Sequence, residues 1–275
     1  MKPPFTYYGG KTRLAPAIAS MLPPHGHYVE PFAGSLAVLL AKKPADMETV
    51  NDLDEDLINF WQVLRDHPTE LITAAFLTPH SRLEHQRSFE PTEDPLERAR
   101  RTWVSLSQNR GGGLTRSGWR FYRDPAGSAS SFPDYLDGYV QRMPPAVHRL
   151  RSVSLESRPA LEVIADYGQH PKVCLYVDPP YLGSTRNSRK YRHEMADEPA
   201  HRELAEALRR CAAAVVLSGY PSPLYEDLYE GWHRHEMAAW TALGLHAGGD
   251  GNRTEVLWSN RPFENHQASM FEDVS

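Results

Sequence analysis

The tetrapeptide Asp178-Pro179-Pro180-Tyr181 combines residue types suited to chemistry on an amine. It follows an apolar run at 173–177, which predicts a buried strand. A carboxylate at the end of a strand can accept an N–H, the two prolines restrict the backbone, and the tyrosine ring offers a stacking face. We therefore predict a rigid polar shelf that orients the exocyclic amine of a flipped-out base for methyl transfer.

The exocyclic amine of a base is a poor nucleophile because its lone pair is delocalised into the ring. The Asp178 carboxylate can accept one N–H of the amine, and the Pro179 carbonyl can accept the other. Together they favour a pyramidal nitrogen, so that methyl transfer needs mainly positioning and electrostatic help. Stacking on Tyr181 would contribute roughly 1–3 kcal/mol to holding the base.

The first 66 residues contain the elements that must position this shelf. A short strand at 27–29 leads into the turn 30–35, a helix at 36–41 and a second strand at 48–52. Asp54 can cap the next helix. This order is the βαβ pattern of a doubly wound sheet, and strand-like runs return later in the chain. Those later runs lie at 151–155, 173–177, 214–218, 233–237 and 254–259, with helical stretches near 160–166 and 199–213.

Two further segments favour a cofactor pocket. Gly34 allows close approach of a ligand to the turn, and Asp52 ends the second strand, where an acid can bind ribose hydroxyls. Asp52 could instead cap the following helix, although Asp54 fits that role at least as well. The segment Tyr7-Tyr8-Gly9-Gly10-Lys11 predicts backbone folded around a small anionic group, without the spacing of a P-loop.

Residues 67–150 differ in character from the rest of the chain. They combine helical stretches near 69–77 and 95–107 with a long polar loop at 108–133, and we interpret them as an inserted lobe. Seven arginines and no acid lie between positions 98 and 123. A second basic cluster follows the shelf, and both clusters favour a nucleic-acid partner. That second cluster consists of Arg186, Arg189, Lys190 and Arg192.

The bulk composition is that of an ordinary globular protein, with 40% hydrophobic and 24% charged residues. The net charge of −5 alone argues mildly against a nucleic-acid partner, unlike the local clusters. Cys174 and Cys211 have no metal-ligand spacing, and none of the 13 histidines does, so we expect reduced thiols and no metal. With no apolar membrane span and no signal-peptide pattern, the expected location is the cytoplasm.

Four motifs occur in a characteristic order: Tyr-Tyr-Gly-Gly-Lys, Val-Glu-Pro-Phe-Ala-Gly-Ser, Asn-Asp-Leu-Asp and Asp-Pro-Pro-Tyr. In this order and spacing the chain resembles the Dam-type (α-group) DNA adenine N6-methyltransferases over about residues 5–66 and 173–260. The resemblance implies a Rossmann-like class I methyltransferase sheet that binds S-adenosylmethionine and a mainly helical target-recognition insert. The implied division is 1–66 and 151–275 for the catalytic domain and 67–150 for the insert.

The resemblance also assigns roles to individual residues. It implies catalysis by the shelf 178–181, with Asp178 as the catalytic carboxylate and Tyr181 as the stacking ring. Leu36 stands where these enzymes often have a second glycine, and Asp54 stands where Asn is common. The expected cofactor contacts are Tyr7, Lys11, Glu30, Phe32, Ala33, Gly34, Ser35, Asp52 and Asp178. The expected contacts to double-stranded DNA are Asn109, Arg110, Arg116, Trp119, Arg120, Arg186, Arg189, Lys190 and Tyr191.

Two alternatives remain at the level of sequence. The same kind of shelf serves the N4 amine of cytosine, and it also serves amines of RNA or of a protein glutamine. A non-catalytic DNA-binding protein could keep the fold, although the intact Asp178, Tyr181, Lys11 and Asp52 argue against it. We expect a monomer or a weak dimer, in a restriction-modification system, in a phage or as a solitary enzyme.

Overall fold

The computed structural model describes residues 1–121, 131–181, 195, 197–240 and 252–264 of the 275-residue chain. Within these ranges one mixed sheet has the strand order β3-β2-β1-β4-β5-β7-β6. Strands β1 to β5 run parallel, whereas β7 is antiparallel to both of its neighbours. The predicted Rossmann-like sheet is therefore confirmed. The strands are β1 (His27–Glu30), β2 (Met47–Asn51), β3 (Val153–Glu156), β4 (Val173–Val177), β5 (Ala214–Gly219), β6 (His233–Trp240) and β7 (Asn252–Ser259).

Six of the eleven described helices begin at a residue whose side chain accepts a capping hydrogen bond. Asp54 accepts hydrogen bonds from the amides of Asp56 and Leu57 and so caps α3, as predicted. No helix among the described residues is both long and apolar enough to cross a membrane. The helices are α1 (Ala15–Met21), α2 (Ala37–Ala41), α3 (Glu55–Asp66), α4 (Pro68–Leu77), α5 (Arg82–Arg87), α6 (Pro95–Gln108), α7 (Phe132–Val140), α8 (Met143–Leu150), α9 (Ala160–Tyr167), α10 (Glu198–Arg209) and α11 (Pro223–Leu228).

The central strands are covered on both faces, which explains their continuous apolar sequences. All residues of β4 and β5 are buried. On one face Tyr28 and Tyr176 join a core with residues of α1, α2 and α3. On the other face Leu175 and Val215 pack with residues of α9 and α10. The sheet is thus a rigid platform for the residues at its edges.

Helices α4 to α8 make up the described part of the predicted insert. Their apolar residues belong to the same core as those of α3, since Leu71 and Trp103 cluster with Phe60 and Trp61. The indole of Trp103 also donates to the carbonyl oxygen of Pro4 at 2.9 Å. The core therefore continues from the sheet into the insert, and the boundaries at residues 67 and 150 stay a prediction.

The strand order reverses between β1 and β4, where doubly wound sheets open a ligand crevice at their carboxyl edge. Glu30 ends β1, Asp52 follows β2, and Asp178 follows β4 at that edge. Antiparallel β7 brings its first residues to the same edge, because Val256 pairs with Gly219 at the end of β5. Acidic residues from four strands consequently meet there.

Candidate active site

The turn after β1 has an unusual backbone. Gly34 has a φ of 48° and Leu36 has a φ of 55°, both in the left-handed region. Leu36 is the only non-glycine residue with a positive φ in the described residues, and its side chain is fully buried. A Cβ on Gly34 would lie 2.9 Å from the ring of Tyr7. Leu36, which stands where these enzymes often have a second glycine, therefore has a strained backbone conformation.

Asp52 secures this turn from the neighbouring strand. Its carboxylate accepts hydrogen bonds from the backbone amides of Gly34 at 2.9 Å and Asp54 at 3.0 Å. Helix α3 is capped by Asp54 and not by Asp52. Of the two roles open to Asp52 from the sequence, the structure therefore removes the helix cap.

A cavity of about 310 Å³ opens at the carboxyl edge of the sheet. All nine residues predicted to contact the cofactor line it, and so does Pro180. Part of the cavity wall was not predicted from the sequence, because small apolar residues after β3 and on α10 carry no recognisable motif. The additional lining residues include Leu114, Pro159, Ala160, Leu161, Met195, Ala200, Glu203 and Leu204.

The lining of the cavity is acidic. Glu30 is deeply buried and accepts hydrogen bonds from the Tyr28 hydroxyl at 2.6 Å and from the Leu39 amide at 2.8 Å. Burial outweighs these contacts and raises the pKa of Glu30 to about 8. The other acids of the wall are Asp52, Asp54, Asp178 and Glu203, and the wall has one lysine, Lys11.

Lys11 binds the carboxylate of the predicted shelf directly. Its ammonium donates to both oxygens of Asp178, with distances of 2.7 and 2.9 Å. Burial raises the pKa of Asp178, while the adjacent ammonium of Lys11 opposes that shift. Burial would lower the pKa of Lys11, but the carboxylates of Asp178 and Glu255 outweigh it and raise the value. The two groups therefore form an ion pair on the cavity wall, in which Lys11 is buried and Asp178 is partly buried.

The same ammonium also reaches the end of the shelf. Lys11 donates to the carbonyl oxygen of Gly9 at 3.2 Å and to the hydroxyl of Tyr181. The Tyr181 hydroxyl in turn donates to Glu255, with distances of 3.0 and 3.3 Å to its two oxygens. Tyr181 is only 5% exposed, and the ring of Tyr220 packs against it with 4.4 Å between centroids. The ring of the shelf is therefore held by Lys11 and Glu255 and covered by Tyr220.

Glu255 and Tyr220 are site residues that sequence reasoning missed. Glu255 lies on β7 and Tyr220 follows β5, both far along the chain from the tetrapeptide. A single acid within the apolar run 255–258 was the available signal, since an acid there needs a buried partner.

The arginines of the insert fall into two groups. Arg98, Arg100 and Arg101 on α6 form ion pairs with Asp56, Glu84 and Glu97. Arg110 and Arg116 in the following loop are exposed, and no carboxylate of the described residues lies within 4 Å of either. Three of the seven arginines in the acid-free run therefore pair with acids that lie outside that run.

Asn109 has a structural position that does not fit its predicted contact with DNA. It is 1% exposed, and its amide nitrogen donates to the carbonyl oxygens of Gly113 and Thr115, both at 2.8 Å. Its amide oxygen accepts from the backbone and hydroxyl of Ser117 at 3.1 and 3.0 Å. Asn109 thus shapes the loop that follows α6 instead of facing a ligand.

Trp119 belongs to a column of nearly parallel rings. His80 stacks on Trp119 with 4.4 Å between the ring centroids. Phe121 also stacks on Trp119, with 5.3 Å between the centroids. The guanidinium of Arg82, which the sequence analysis did not select, lies 4.7 Å from the Trp119 ring. Arg120 similarly lies 4.6 Å from the ring of Tyr135. Arg186, Arg189, Lys190 and Tyr191, also predicted to bind DNA, lie outside the described residues.

The loop after α6 also touches the cavity. The amide of Tyr8 donates to the carbonyl oxygen of Gly112 at 2.9 Å, and Leu114 lines the cavity wall. Gly112 has a φ of 64°, and a Cβ there would lie 2.7 Å from Thr6. The N-terminal segment therefore lies between the turn at 30–35 and the insert and contacts both.

Comparisons with known proteins agree with this arrangement. The type II methyltransferase M1.LlaDCHI of Lactococcus lactis subsp. cremoris is 26% identical, over 94% of this chain and 95% of that protein. The DNA adenine methylase of Vibrio cholerae serotype O1 is also 26% identical, over 94% of this chain and 96% of that protein. The model of a methyltransferase family matches residues 7–97 and 143–243, which contain the turn, Asp52 and the shelf. The chain therefore belongs to the D12 class of N6 adenine-specific DNA methyltransferases.

Proposed function

We propose that this adenine methyltransferase uses S-adenosylmethionine, bound in the 310 Å³ cavity, to methylate a flipped-out adenine at a specific site in duplex DNA. The observation that carries this proposal is the position of the Asp178 carboxylate, on the cavity wall and held by Lys11 at 2.7 Å. When bound, this cofactor would supply an electrophilic methyl group on a sulfonium.

The cavity fits such a cofactor in size and charge. Its volume lies at the lower end of the range for small-molecule sites. Among the described residues, Asp52, Asp54, Asp178 and Glu203 line it together with the ammonium of Lys11, which suits a cation, while Phe32 and Leu161 offer apolar contact to an adenine ring. We assign Asp52, which follows the second strand, to the ribose hydroxyls. Tyr7 and the turn at Gly34 would hold the remaining part of the cofactor.

Asp178 is assigned to the amine of the target base. Each carboxylate oxygen has two lone pairs, so an oxygen that accepts from Lys11 can also accept an N–H of the base. Lys11 stabilises the ionised, accepting form of Asp178 against burial. The Pro179 carbonyl is the proposed acceptor for the second N–H.

Tyr181 is assigned to stacking on the flipped base. Its ring is 5% exposed and lies against Tyr220. We propose that Tyr220 moves away as the base enters, because the two rings at 4.4 Å leave no space for a third ring between them.

The insert at 67–150 is the proposed target-recognition domain, with duplex DNA as its partner. Exposed Arg110 and Arg116 can bind phosphates, and Arg82 and Trp119 extend the same loop surface. We retain Arg120, Arg186, Arg189, Lys190 and Tyr191 as further proposed contacts. Asn109 is instead proposed to hold the loop in shape.

The test is to incubate the protein with DNA and isotope-labelled S-adenosylmethionine and to analyse the nucleosides by mass spectrometry. We expect labelled N6-methyladenine from the wild type and none from Asp178→Asn, which keeps the shape of the side chain. Asp227→Asn, a change on exposed α11, serves as the matched control with wild-type activity. Labelled N4-methylcytosine without methyladenine would overturn the choice of base, and full activity of Asp178→Asn would overturn the mechanism.

A further inference from the structure

A second buried carboxylate, Glu255, faces the catalytic shelf from the antiparallel strand β7. It is 3% exposed, and it accepts hydrogen bonds from the hydroxyls of Ser218 at 2.6 Å and Tyr181 at 3.0 Å. Its carboxylate also lies 3.6 Å from the ammonium of Lys11. A buried carboxylate needs hydrogen-bonding or oppositely charged partners, and the partners of Glu255 belong to the candidate active site.

We infer that Glu255 is a positioning residue for methyl transfer, acting through Tyr181 and Lys11 on Asp178. This inference rests on the proposed function and extends it to a residue on another strand. Glu255 does not line the cofactor cavity.

A chain of directed hydrogen bonds connects Glu255 to Asp178 through Tyr181 and Lys11. Because the Tyr181 hydroxyl donates its proton to Glu255, its oxygen lone pair is available to accept from Lys11. That contact and the Gly9 carbonyl occupy donors of the ammonium and leave the remainder aimed at Asp178. Glu255 thus fixes both the rotation of the Tyr181 hydroxyl and the direction of the ammonium.

The charges support the same conclusion. The ammonium of Lys11 is shared by two carboxylates, Asp178 and Glu255, so its positive charge is not directed at either one alone. Asp178 then keeps acceptor strength for the amine of the base. Among the described residues, the titratable and polar groups that face this cluster are Lys11 from the N-terminal segment, Glu30 at the end of β1, Tyr176, Asp178 and Tyr181 on and after β4, Ser218 and Tyr220 on and after β5, and Tyr225 on α11.

The experiment compares Glu255→Gln with Glu48→Gln in the full-length protein. Glu48 is also 3% exposed and forms buried ion pairs with Lys42 and Arg149, remote from the cavity lining. We expect Glu255→Gln to lower kcat by about tenfold, the effect of one charge-assisted hydrogen bond, with unchanged affinity for S-adenosylmethionine. The acidic limb of its kcat profile should move to lower pH, since removal of a like charge lowers the pKa of Asp178. Glu48→Gln should have the kcat of the wild type, and the acidic limb of its kcat profile should lie at the wild-type pH.

A second measurement does not depend on activity. In NMR spectra of protein with labelled lysine, the Lys11 signal is identified by its loss in Lys11→Arg, and its pKa should fall in Glu255→Gln but not in Glu255→Asp or Glu48→Gln. An unchanged Lys11 pKa, or equal losses of kcat in Glu255→Gln and Glu48→Gln, would overturn the inference. Absence of methyl transfer by the wild type would overturn the proposed function alone, because the Lys11 titration still reports on Glu255.

Discussion

The carboxylate of Asp52 and the backbone amide of Gly34 are joined by a hydrogen bond of 2.9 Å. This bond ties the end of β2 to the turn after β1, although 18 residues separate the two positions. It thereby joins two parts of the cavity wall through a contact within the protein.

Asp52→Asn should weaken binding of S-adenosylmethionine by about 10- to 100-fold, because hydrogen bonds to a charged group contribute roughly 1.5–3 kcal/mol. Isothermal titration calorimetry measures the affinity. Asp56→Asn is the control, since Asp56 pairs with Arg98 outside the cavity and should leave the affinity unchanged. Equal weakening in both variants would contradict the role of Asp52.

Glu30 should make the stability of the protein depend on pH. Its pKa rises from 4.5 to about 8 on folding, mainly through burial. Between these values the folded chain keeps a proton that the unfolded chain releases, so this stability is full below pH 4.5 and is lost as pH rises through about 8. Glu30→Gln stays neutral and should flatten the pH dependence of the unfolding free energy between about pH 4.5 and 8 in urea unfolding. Exposed Glu206→Gln should behave as the wild type, and a wild-type slope in Glu30→Gln would refute the assignment.

An alanine variant is usually more stable than a glycine variant, and at Leu36 this order of stability should be reversed. Both Leu36→Ala and Leu36→Gly lose a buried side chain, at about 2–5 kcal/mol. Glycine tolerates the φ of 55°, whereas alanine at a left-handed position costs roughly 1–2 kcal/mol. Leu36→Gly should therefore be at least as stable as Leu36→Ala in chemical denaturation. At Leu39 inside α2 the alanine variant should be the more stable one, and the same ranking at both sites would argue against strain at Leu36.

Arg110 and Arg116 should contribute to DNA affinity through phosphates. Changing either to Gln should weaken binding and reduce the slope of log affinity against log salt by about 1. Fluorescence anisotropy at several salt concentrations measures both quantities. Arg210→Gln, which removes an exposed arginine from the end of α10, should leave the slope as in the wild type. An unchanged slope in Arg110→Gln and Arg116→Gln would mean that neither binds phosphate.

The parts of the site that sequence reasoning found depend on local order. Glu30, Asp52 and Asp178 each lie at the end of a parallel strand, so their meeting at one edge follows from the strand pattern alone. The cap at Asp54 likewise needs only the next three residues. These features were predictable because they require no knowledge of distant partners.

The parts that it missed depend on distant pairing. Glu255 is 74 residues from Tyr181 and reaches it only because β7 runs antiparallel to β5. The arginines of α6 look like those of the next loop in sequence, and only the packing of α6 against other helices gives Arg98 and Arg100 their acids. Asn109 likewise resembles a base-reading residue until its four contacts with the loop are known.

The bond between Tyr8 and Gly112, with Leu114 on the cavity wall, has a thermodynamic consequence. One short stretch of chain serves both the methyl donor pocket and the loop that presents Arg110 and Arg116. If DNA orders that loop, it changes the affinity for the donor by some factor, and the donor must change the affinity for DNA by the same factor. The two substrates of this enzyme are therefore expected to bind cooperatively, with the first ligand meeting part of the ordering cost of the second.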